Sequence, residues 1–476
     1  MVVQDAAYGT LLRSRRQQIH ARIVAILESQ FPEIATAQPQ LMAQHSAKAE
    51  LNAKAVNYWL KAGQQALARS AMMEAVAQLR KGLDILAGLP DDPWRRQQEL
   101  DLLIALAPAL AATKGYSATD VGETIARVRV LAEQIDRPEH LVPQIYGQWA
   151  FYFVRSEHQL ALSLAEQFEK IGEARNDVIA QLLGRRASGM TRCYLGQFVA
   201  ARALLEQCHG LGDPALRSIG AGQDTYATML AQLAVTLAHL GYIDQARVRL
   251  NEAFSEARRF RQGLTLPNVL VRANWIKSIT RSTEMQQDTE ELLALSTEHG
   301  FPLYLGFGLV YRGLWLNALG QAQEGLTLLQ QGLAAIRATG AVVGTSFALT
   351  GLAEAYAMLG QPVVGLNSLA EAAQIVETTD GRYQEADLHR VRGDLLNATG
   401  DRTAGEQSYH QALVVARRQS AKLFELRAAT SLARLWRHQG KPQQARELLA
   451  PIYGWFTEGF DTLDLKEAKA LLNELS

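Results

Sequence analysis

Small and large residues recur at fixed distances from a series of glycines along this chain. Small residues stand seven positions before and five positions after each glycine, and large, mostly apolar residues stand four positions before and nine after. Steps of three and four on both sides of a turn are typical of two amphipathic helices. The pattern therefore predicts a helical hairpin around each of Gly196, Gly241, Gly320, Gly360, Gly400 and Gly440.

The spacing of these glycines predicts a repeat of about 40 residues. Successive separations are 45, 79, 40, 40 and 40 residues, and the 79-residue gap equals two periods, so it predicts a further hairpin that turns within residues 280–282. Weaker copies turn at Ser70, near Gly115 and at Ser156. About ten hairpins result, and each must be covered by the next because one hairpin alone leaves an apolar face exposed.

Three regions are expected: a helical junction at residues 1–48, a repeat array at residues 49–460 and a C-terminal helix at residues 461–476. Within the junction, the sequence predicts helices at residues 6–27 and 39–48. Asp461 or Thr462 can begin the last helix. Its apolar stripe is Leu465, Ala468, Leu472 and Leu475. We expect this helix to cap the array.

The set of small and large positions resembles the tetratricopeptide repeat (TPR) over roughly residues 50–455. The TPR period is about 34 residues, so the longer period here indicates longer helices or connections. The resemblance implies an all-α fold, a right-handed superhelical solenoid of about ten TPR-like hairpins. Such an architecture does not by itself name a function.

Both ends of the chain resemble STAND-type signalling ATPases. The stretch QDAAYGTLLRSRRQQIHARIVAILE (4–28), followed by PQLMAQHSAKAE and YWLKAGQQALARSAMMEA, is similar to the junction between the ATPase module with its winged helix and a TPR arm. Residues 425–472 are similar to the end of such arms. Some bacterial members of this family also carry a class III adenylate/guanylate cyclase domain.

The chain departs from that family in one respect. The helix with Tyr8, Arg15, Arg16 and His20 follows a P-loop by several hundred residues in the family, yet no GxxxxGK[ST] occurs here, and the single Gly-Lys pair, Gly440-Lys441, precedes proline. The resemblance therefore implies a regulatory arm that lacks the ATPase and cyclase domains. Neither activity is carried over to this chain.

Composition narrows the range of functions. Lys and Arg number 48, as do Asp and Glu, so the net charge is zero, which argues against a nucleic-acid binder or a polybasic membrane anchor. Cys193 and Cys208 are too few for a disulfide framework, which favours a reduced, cytoplasmic protein. The N-terminal residues lack a secretory pattern, and no apolar run reaches the roughly 20 residues that a spanning helix needs.

Motifs for catalysis and metal binding are absent from the sequence. Neither HExxH nor Gly-x-Ser-x-Gly occurs, and the histidines and cysteines are not placed at metal-ligand spacing. His20 and His45 are interpreted as packed or capping side chains. We therefore expect no catalytic residue, no metal site and no cofactor, and a protein that acts by binding.

The first helix of each TPR hairpin lines an inner groove, and the family offsets select candidate binding residues there. These residues are Phe307, Asn317, Phe347, Arg390, Asp394, Asn397, Arg427, Arg434 and Arg437. The predicted groove passes from apolar to basic toward the C-terminus. Its arginines could receive a carboxylate or phosphate. Alternatively, Arg390 pairs with Asp394 at i,i+4 and the other arginines are solvated or paired.

Two functions from different classes remain open. The first is an interaction scaffold or sensor arm that holds a protein or peptide in the groove, with an ATPase or cyclase module in cis or in trans as a partner that the resemblance implies. The second is a site for a small-molecule inducer inside the superhelix. A pocket of about 300–1,000 Å³ with convergent polar groups favours the small molecule, and an open groove favours the protein. The carboxylate clamp of chaperone-binding TPR domains is not matched.

Overall fold

The computed structural model describes residues 12–115, 118–135, 138–209, 224–260 and 263–475, and all regular elements in these ranges are helices. The chain begins with α1 (Arg13–Gln30), α2 (Pro32–Ala37) and α3 (Pro39–Lys48). The predicted start of the first helix, with Tyr8, lies outside the described residues. The second junction helix is present as α3 with the predicted bounds.

Ten helical hairpins follow in the described ranges, which confirms the predicted all-α solenoid of TPR-like hairpins. Hairpins 1 to 5 are α4 (Asn52–Ala68) and α5 (Met72–Ala87), α6 (Pro93–Lys114) and α7 (Thr119–Gln134), α8 (Pro138–Val154) and α9 (His158–Ala174), α10 (Val178–Tyr194) and α11 (Phe198–His209), and α12 (Thr225–His239) and α13 (Ile243–Phe260). Hairpins 6 to 10 are α14 (Thr265–Ile279) and α15 (Gln286–His299), α16 (Pro302–Ala318) and α17 (Ala322–Ala338), α18 (Thr345–Met358) and α19 (Pro362–Thr379), α20 (Glu385–Ala398) and α21 (Arg402–Gln419), and α22 (Lys422–His438) and α23 (Pro442–Tyr453). A 3-10 turn (Arg382–Gln384) precedes hairpin 9, and α24 (Leu463–Glu474) follows hairpin 10.

The helices form two compact units. Unit 1 comprises Met1–Lys114 with Ala118–Gly147, and unit 2 comprises Gly115–Ser117 with Gln148–Ser476. The division falls inside α8, within the region predicted as one repeat array.

In unit 1, His20 and His45 pack with their Nδ1 atoms 2.7 Å apart, so one ring donates and the other accepts.

Each hairpin turns at a residue with a positive φ angle. These residues are Ser70, Gly115, Ser156, Gly196, Gly241, Arg281, Gly320, Gly360, Gly400 and Gly440. At Gly320, the Gln321 N–H donates to Leu316 O at 2.9 Å, a bond that ends a helix around a left-handed residue. The turn at Arg281 confirms the hairpin expected within the 79-residue gap.

Glycines also let the two helices of a hairpin approach closely. In hairpin 7, a Cβ atom at Gly313 would lie 2.8 Å from Gly325 O and 3.0 Å from Leu329 N. These are backbone atoms, which cannot rotate away from a clash. The small positions in the repeat are thus places where two backbones pack in contact.

The turns of hairpins in the middle of the chain contact segments that follow much later hairpins. Val342 N–H and Val343 N–H both donate to Val154 O, at 3.0 and 3.1 Å. The Gln159 Nε2 group donates to Asp380 Oδ2 at 2.8 Å, across 221 residues of sequence. Within unit 2, repeats that are distant in the sequence therefore contact one another, in addition to the contacts between neighbouring repeats.

These long-range contacts continue toward the C-terminus. The Gln419 side chain packs directly on the turn at Gly196, where a Cβ atom would lie 2.4 Å from Gln419 Nε2. Trp455 covers the turn at Gly241 in the same way, at 2.8 Å from the position of a Cβ atom. The Arg281 guanidinium, at the turn of hairpin 6, donates to a carboxylate of α24. Four successive turns, those of hairpins 3 to 6, are therefore covered by later parts of the chain.

The last helix packs against hairpin 10. Leu465, Ala468 and Leu471 of α24 are buried in one apolar cluster with Leu426 of α22 and Leu449 of α23.

Among the described helices, none combines the length and the apolar character that a bilayer-crossing segment requires.

His239 of unit 2 lies within a cluster of aromatic side chains. Its ring stacks on Phe198 at a centroid distance of 4.5 Å and meets Trp275 and Phe424 edge-on, at 5.5 and 5.4 Å. Its Nδ1 atom lies 2.9 Å from Val235 O. Burial lowers the pKa of His239 to about 4, although the Val235 carbonyl opposes that shift.

We expect Gly313→Ala to lower the free energy of unfolding of unit 2 by about 1–3 kcal/mol, because the added methyl must displace the backbone of α17. The matched control is Arg312→Ala, an exposed neighbour on the same helix, which should change it by less than about 0.5 kcal/mol. Urea denaturation of both variants measures the difference. Equal stability of the two variants would show that the backbones are not in contact.

We expect the free energy of unfolding to fall as the pH is lowered from 6.5 toward 4. The unfolded chain then binds protons that folded His239 and His158, each with a pKa near 4, do not accept. Each contributes at most about 1.4 kcal/mol per pH unit. Urea denaturation between pH 7 and 4.5 should show a smaller slope for His239→Phe than for the wild type. An unchanged slope would mean that His239 is protonated in the folded chain.

Candidate functional site

A cavity of about 790 Å³ lies on the inner side of unit 2. The first helices of hairpins 6 to 10, α14, α16, α18, α20 and α22, form its wall together with α24. Leu314, Phe347 and Met358 contribute apolar side chains, and the charged residues come from α18, α20, α22 and α24 and from the turn after α14. We refer to this space as the unit 2 cavity.

Seven of the nine residues selected from the sequence line this cavity. They are Asn317, Phe347, Arg390, Asp394, Asn397, Arg427 and Arg434. Phe307 instead packs over the turn at Gly344, and Arg437 pairs with Glu474 of α24. Most of the side chains that the TPR offsets select therefore lie together in the structure. Whether they bind a partner stays a prediction.

Arg390 lies at the centre of one ion-pair network. Its guanidinium donates to Asp387 Oδ1 at 2.6 Å, to Asp394 Oδ2 at 2.6 Å and to Glu354 Oε1 at 2.9 Å. The i,i+4 pair with Asp394 is the alternative that the sequence offered for this residue. The Tyr409 hydroxyl donates to the other oxygen of Asp394 at 2.5 Å.

Arg427 is the most deeply buried cation of the cavity wall. Its guanidinium binds Asp464 in a bidentate manner, at 3.1 and 2.7 Å, and it reaches Asp387 Oδ1 at 3.4 Å. Its Nη2 also donates to Ile279 O at 2.5 Å. Arg427 therefore joins α22 to α14, α20 and α24, elements that are distant in the sequence.

A third network lies where α24 meets the turn of hairpin 6. Glu467 Oε2 accepts from Arg281 at 3.0 Å and from Arg434 at 2.9 Å. Arg281 also reaches Asp464 at 3.3 Å. The side chains of Arg281 and Arg434 keep 39% and 45% of their exposure, so both remain accessible from the cavity.

The arginines at the predicted basic end of the groove are paired with acids in the structure. The cavity wall holds four arginines and five carboxylates, namely Arg281, Arg390, Arg427 and Arg434 with Glu354, Asp387, Asp394, Asp464 and Glu467. The sequence offsets placed three arginines on one face but did not include α24, which supplies Asp464 and Glu467. Because α24 folds against the arginines, they meet acids rather than open solvent.

Burial and charge act in opposite directions on the pKa values of this site. Burial alone would raise the pKa of Asp387, but Arg390 and Arg427 outweigh burial and lower it. For Arg427, burial favours loss of the proton, whereas Asp464 and Asp387 reverse that effect and raise its pKa. Enclosure by the cavity wall raises the pKa of Glu354, and Arg390 opposes the rise.

Several residues of the cavity wall were missed by the sequence offsets. Arg281 is the turn residue of hairpin 6, and the family offsets select inner-face positions before a turn rather than the turn residue itself. Gln384 belongs to the connection before hairpin 9, and it is buried with its Nε2 atom lacking a hydrogen-bond partner. No sequence pattern indicates that α24 reaches the cavity.

The arrangement suits binding by charge and hydrogen bonding. Within the described residues, no group of three or more His, Cys, Asp or Glu side chains is placed to hold a metal ion. Cys193 and Cys208 are buried free thiols, and burial raises the pKa of each to about 12.

We expect Arg427→Met to lower the free energy of unfolding by about 3–5 kcal/mol, because Asp464, with 2% of its side chain exposed, loses its bidentate partner and keeps only Arg281 at 3.3 Å. The matched control is Arg434→Met on the same helix, which breaks a half-exposed pair and should cost about 0–1 kcal/mol. Urea denaturation measures both. Restoration of part of the loss by Asp464→Asn in the Arg427→Met background would confirm that the buried carboxylate is the cause.

No family model matches the chain. A curated protein with a similar sequence is an uncharacterized protein of Rhizobium meliloti (strain 1021), which is 26% identical over 454 residues. The match covers 92% of this chain and 42% of that protein, so the chain spans about two fifths of the length of its curated relative.

Solved structures resemble the chain in fold. A chain of the APC/C hetero-tetramer Cut9–Hcn1 gives a TM-score of 0.53 at 12% identity, over 92% of this chain and 76% of that one. A Rap protein complexed with competence and sporulation factor gives 0.43 at 11%, over 88% and 99%. A STAND protein with a tetratricopeptide repeat sensor from Pyrococcus horikoshii gives 0.39 at 12%, over 98% and 74%. The match to the Cut9–Hcn1 chain and the ten helical hairpins together show an all-α, TPR-like solenoid.

Proposed function

We propose that the chain is a non-catalytic interaction scaffold, or sensor arm, that holds a segment of a protein partner in the unit 2 cavity. The observation that carries this proposal is the cavity itself, which is walled by helices from five successive repeats and by α24 and combines apolar with charged side chains. The fold supports it as well, because the Cut9–Hcn1 chain of similar fold comes from a hetero-tetramer of proteins.

We further propose that the arm serves in signal transduction and that one partner is an ATPase or cyclase module, in cis or in trans. The similarity of residues 4–28 to the STAND junction supports this. The relative from Rhizobium meliloti supports it too, because the match leaves more than half of that protein for other modules. The arm would then report the state of its cavity to the module.

Site-specific photocrosslinking in the native host tests the scaffold proposal. With p-benzoylphenylalanine in place of Phe347, in the cavity, we expect a covalent adduct with a defined protein, identified by mass spectrometry. The matched control carries the same group in place of Val414, which is 58% exposed on α21 and outside the cavity wall. Adducts of equal yield at both positions, or no adduct at Phe347, would refute occupation of the cavity by a protein.

One observation favours the second candidate, a small-molecule inducer. The cavity volume of about 790 Å³ falls within the range of 300–1,000 Å³ that ligand pockets occupy. Native mass spectrometry of the protein purified from its host separates the two candidates. A bound mass of a few hundred daltons that is lost in Phe347→Trp, which narrows the cavity, would establish the small molecule.

A further inference from the structure

The wall of the unit 2 cavity formed by α18 and α20 has an excess of negative charge. Glu354 and Asp394 share the single guanidinium of Arg390, and the side chains of both acids are 43% exposed. The third acid on Arg390, Asp387, is 13% exposed and is also engaged by Arg427. Two accessible carboxylates thus face the cavity with one buried cation between them. We call Glu354 and Asp394 the acidic wall.

The part of the cavity wall formed by the turn of hairpin 6 and α22 has an excess of positive charge. Arg281 and Arg434 share the single carboxylate of Glu467, which is 24% exposed, while the two arginines are 39% and 45% exposed. Asp464, the other acid near Arg281, is 2% exposed and bound by Arg427 in a bidentate manner. We call Arg281 and Arg434 the basic wall.

A buried polar group of the cavity wall lacks a partner. Gln384 is 1% exposed and lines the cavity, and its Nε2 atom makes no hydrogen bond. An amide N–H that is buried without an acceptor costs about 1–3 kcal/mol, which an acceptor on a ligand would recover. A peptide carbonyl is such an acceptor. Leu314, Phe347 and Met358 offer apolar contact beside it.

We propose that the unit 2 cavity binds a peptide segment that carries one basic and one acidic side chain. The basic side chain lies on the acidic wall Glu354/Asp394, and the acidic side chain lies on the basic wall Arg281/Arg434. This inference rests on the proposed function, since it names the chemistry of the partner segment. Each wall then gains the charge that it lacks. A uniformly charged segment would meet repulsion at one of the two walls.

A random heptapeptide library displayed on phage and panned on the full-length protein tests the inference. We expect the enriched peptides to contain a basic and an acidic residue at a constant spacing. A synthetic peptide of this consensus should bind Glu354→Gln/Asp394→Asn about tenfold more weakly than the wild type, because one charge-assisted hydrogen bond is lost. Arg281→Gln/Arg434→Gln should weaken it similarly. The matched control, Arg337→Gln/Glu371→Gln, removes an exposed ion pair outside the cavity wall and should bind as the wild type does.

Changes in the peptide give a second test, in which a change in the ligand is combined with a change in the protein. Replacing its basic residue by norleucine should weaken binding to the wild type about tenfold and should not weaken binding to Glu354→Gln/Asp394→Asn further. Enriched peptides that lack this charge pattern, or that bind all variants equally, would overturn the bipolar cavity and leave the scaffold proposal standing. If panning on the wild type enriches no peptide beyond the level seen with the Phe347→Trp variant, the scaffold proposal itself is overturned.

Discussion

Unit 2 depends on contact between the turns of hairpins 3 to 6 and chain segments that follow hairpins 7 to 10. In a simple solenoid each repeat touches only its neighbours, so its stability is a sum of local terms. Here, hydrogen bonds such as that from Gln159 to Asp380 join residues 221 positions apart. The entropy of closing such loops grows only slowly with length, so a modest number of buried contacts can offset it. The aromatic packing around His239 supplies contacts of this kind.

The unit 2 cavity is a product of the same closure. Arg427 touches α14, α20 and α24 at once, and it can do so only when the end of the chain has returned to hairpin 6. A buried ion pair adds little to stability because desolvation consumes much of the Coulomb attraction. It does, however, penalise every arrangement in which Asp464 is buried elsewhere. The ion-pair network therefore has a larger effect on the position of α24 than on the free energy with which α24 is bound.

Local structure follows closely from the amino-acid pattern. The left-handed turns at Gly320 and Gly360, and the backbone contact at Gly313, occupy positions that the 40-residue period indicates. The same period located the turn at Arg281, although no glycine marks it. The candidate site could be predicted from the sequence only in part. Offsets within a repeat identify inner-face residues such as Arg390 and Arg434, but they do not identify the residues that these side chains contact.

The sequence by itself determined the helical hairpins, their number and the inner face of each, because these depend on periodicity and on glycine at positions a few residues apart. Only the tertiary structure decided that the arginines of hairpin 10 meet Asp464 and Glu467, and that Arg281 joins them. The physical reason is that the curvature of the stack accumulates from small rotations between repeats. No local pattern records their sum, and that sum determines which distant residues enclose the cavity.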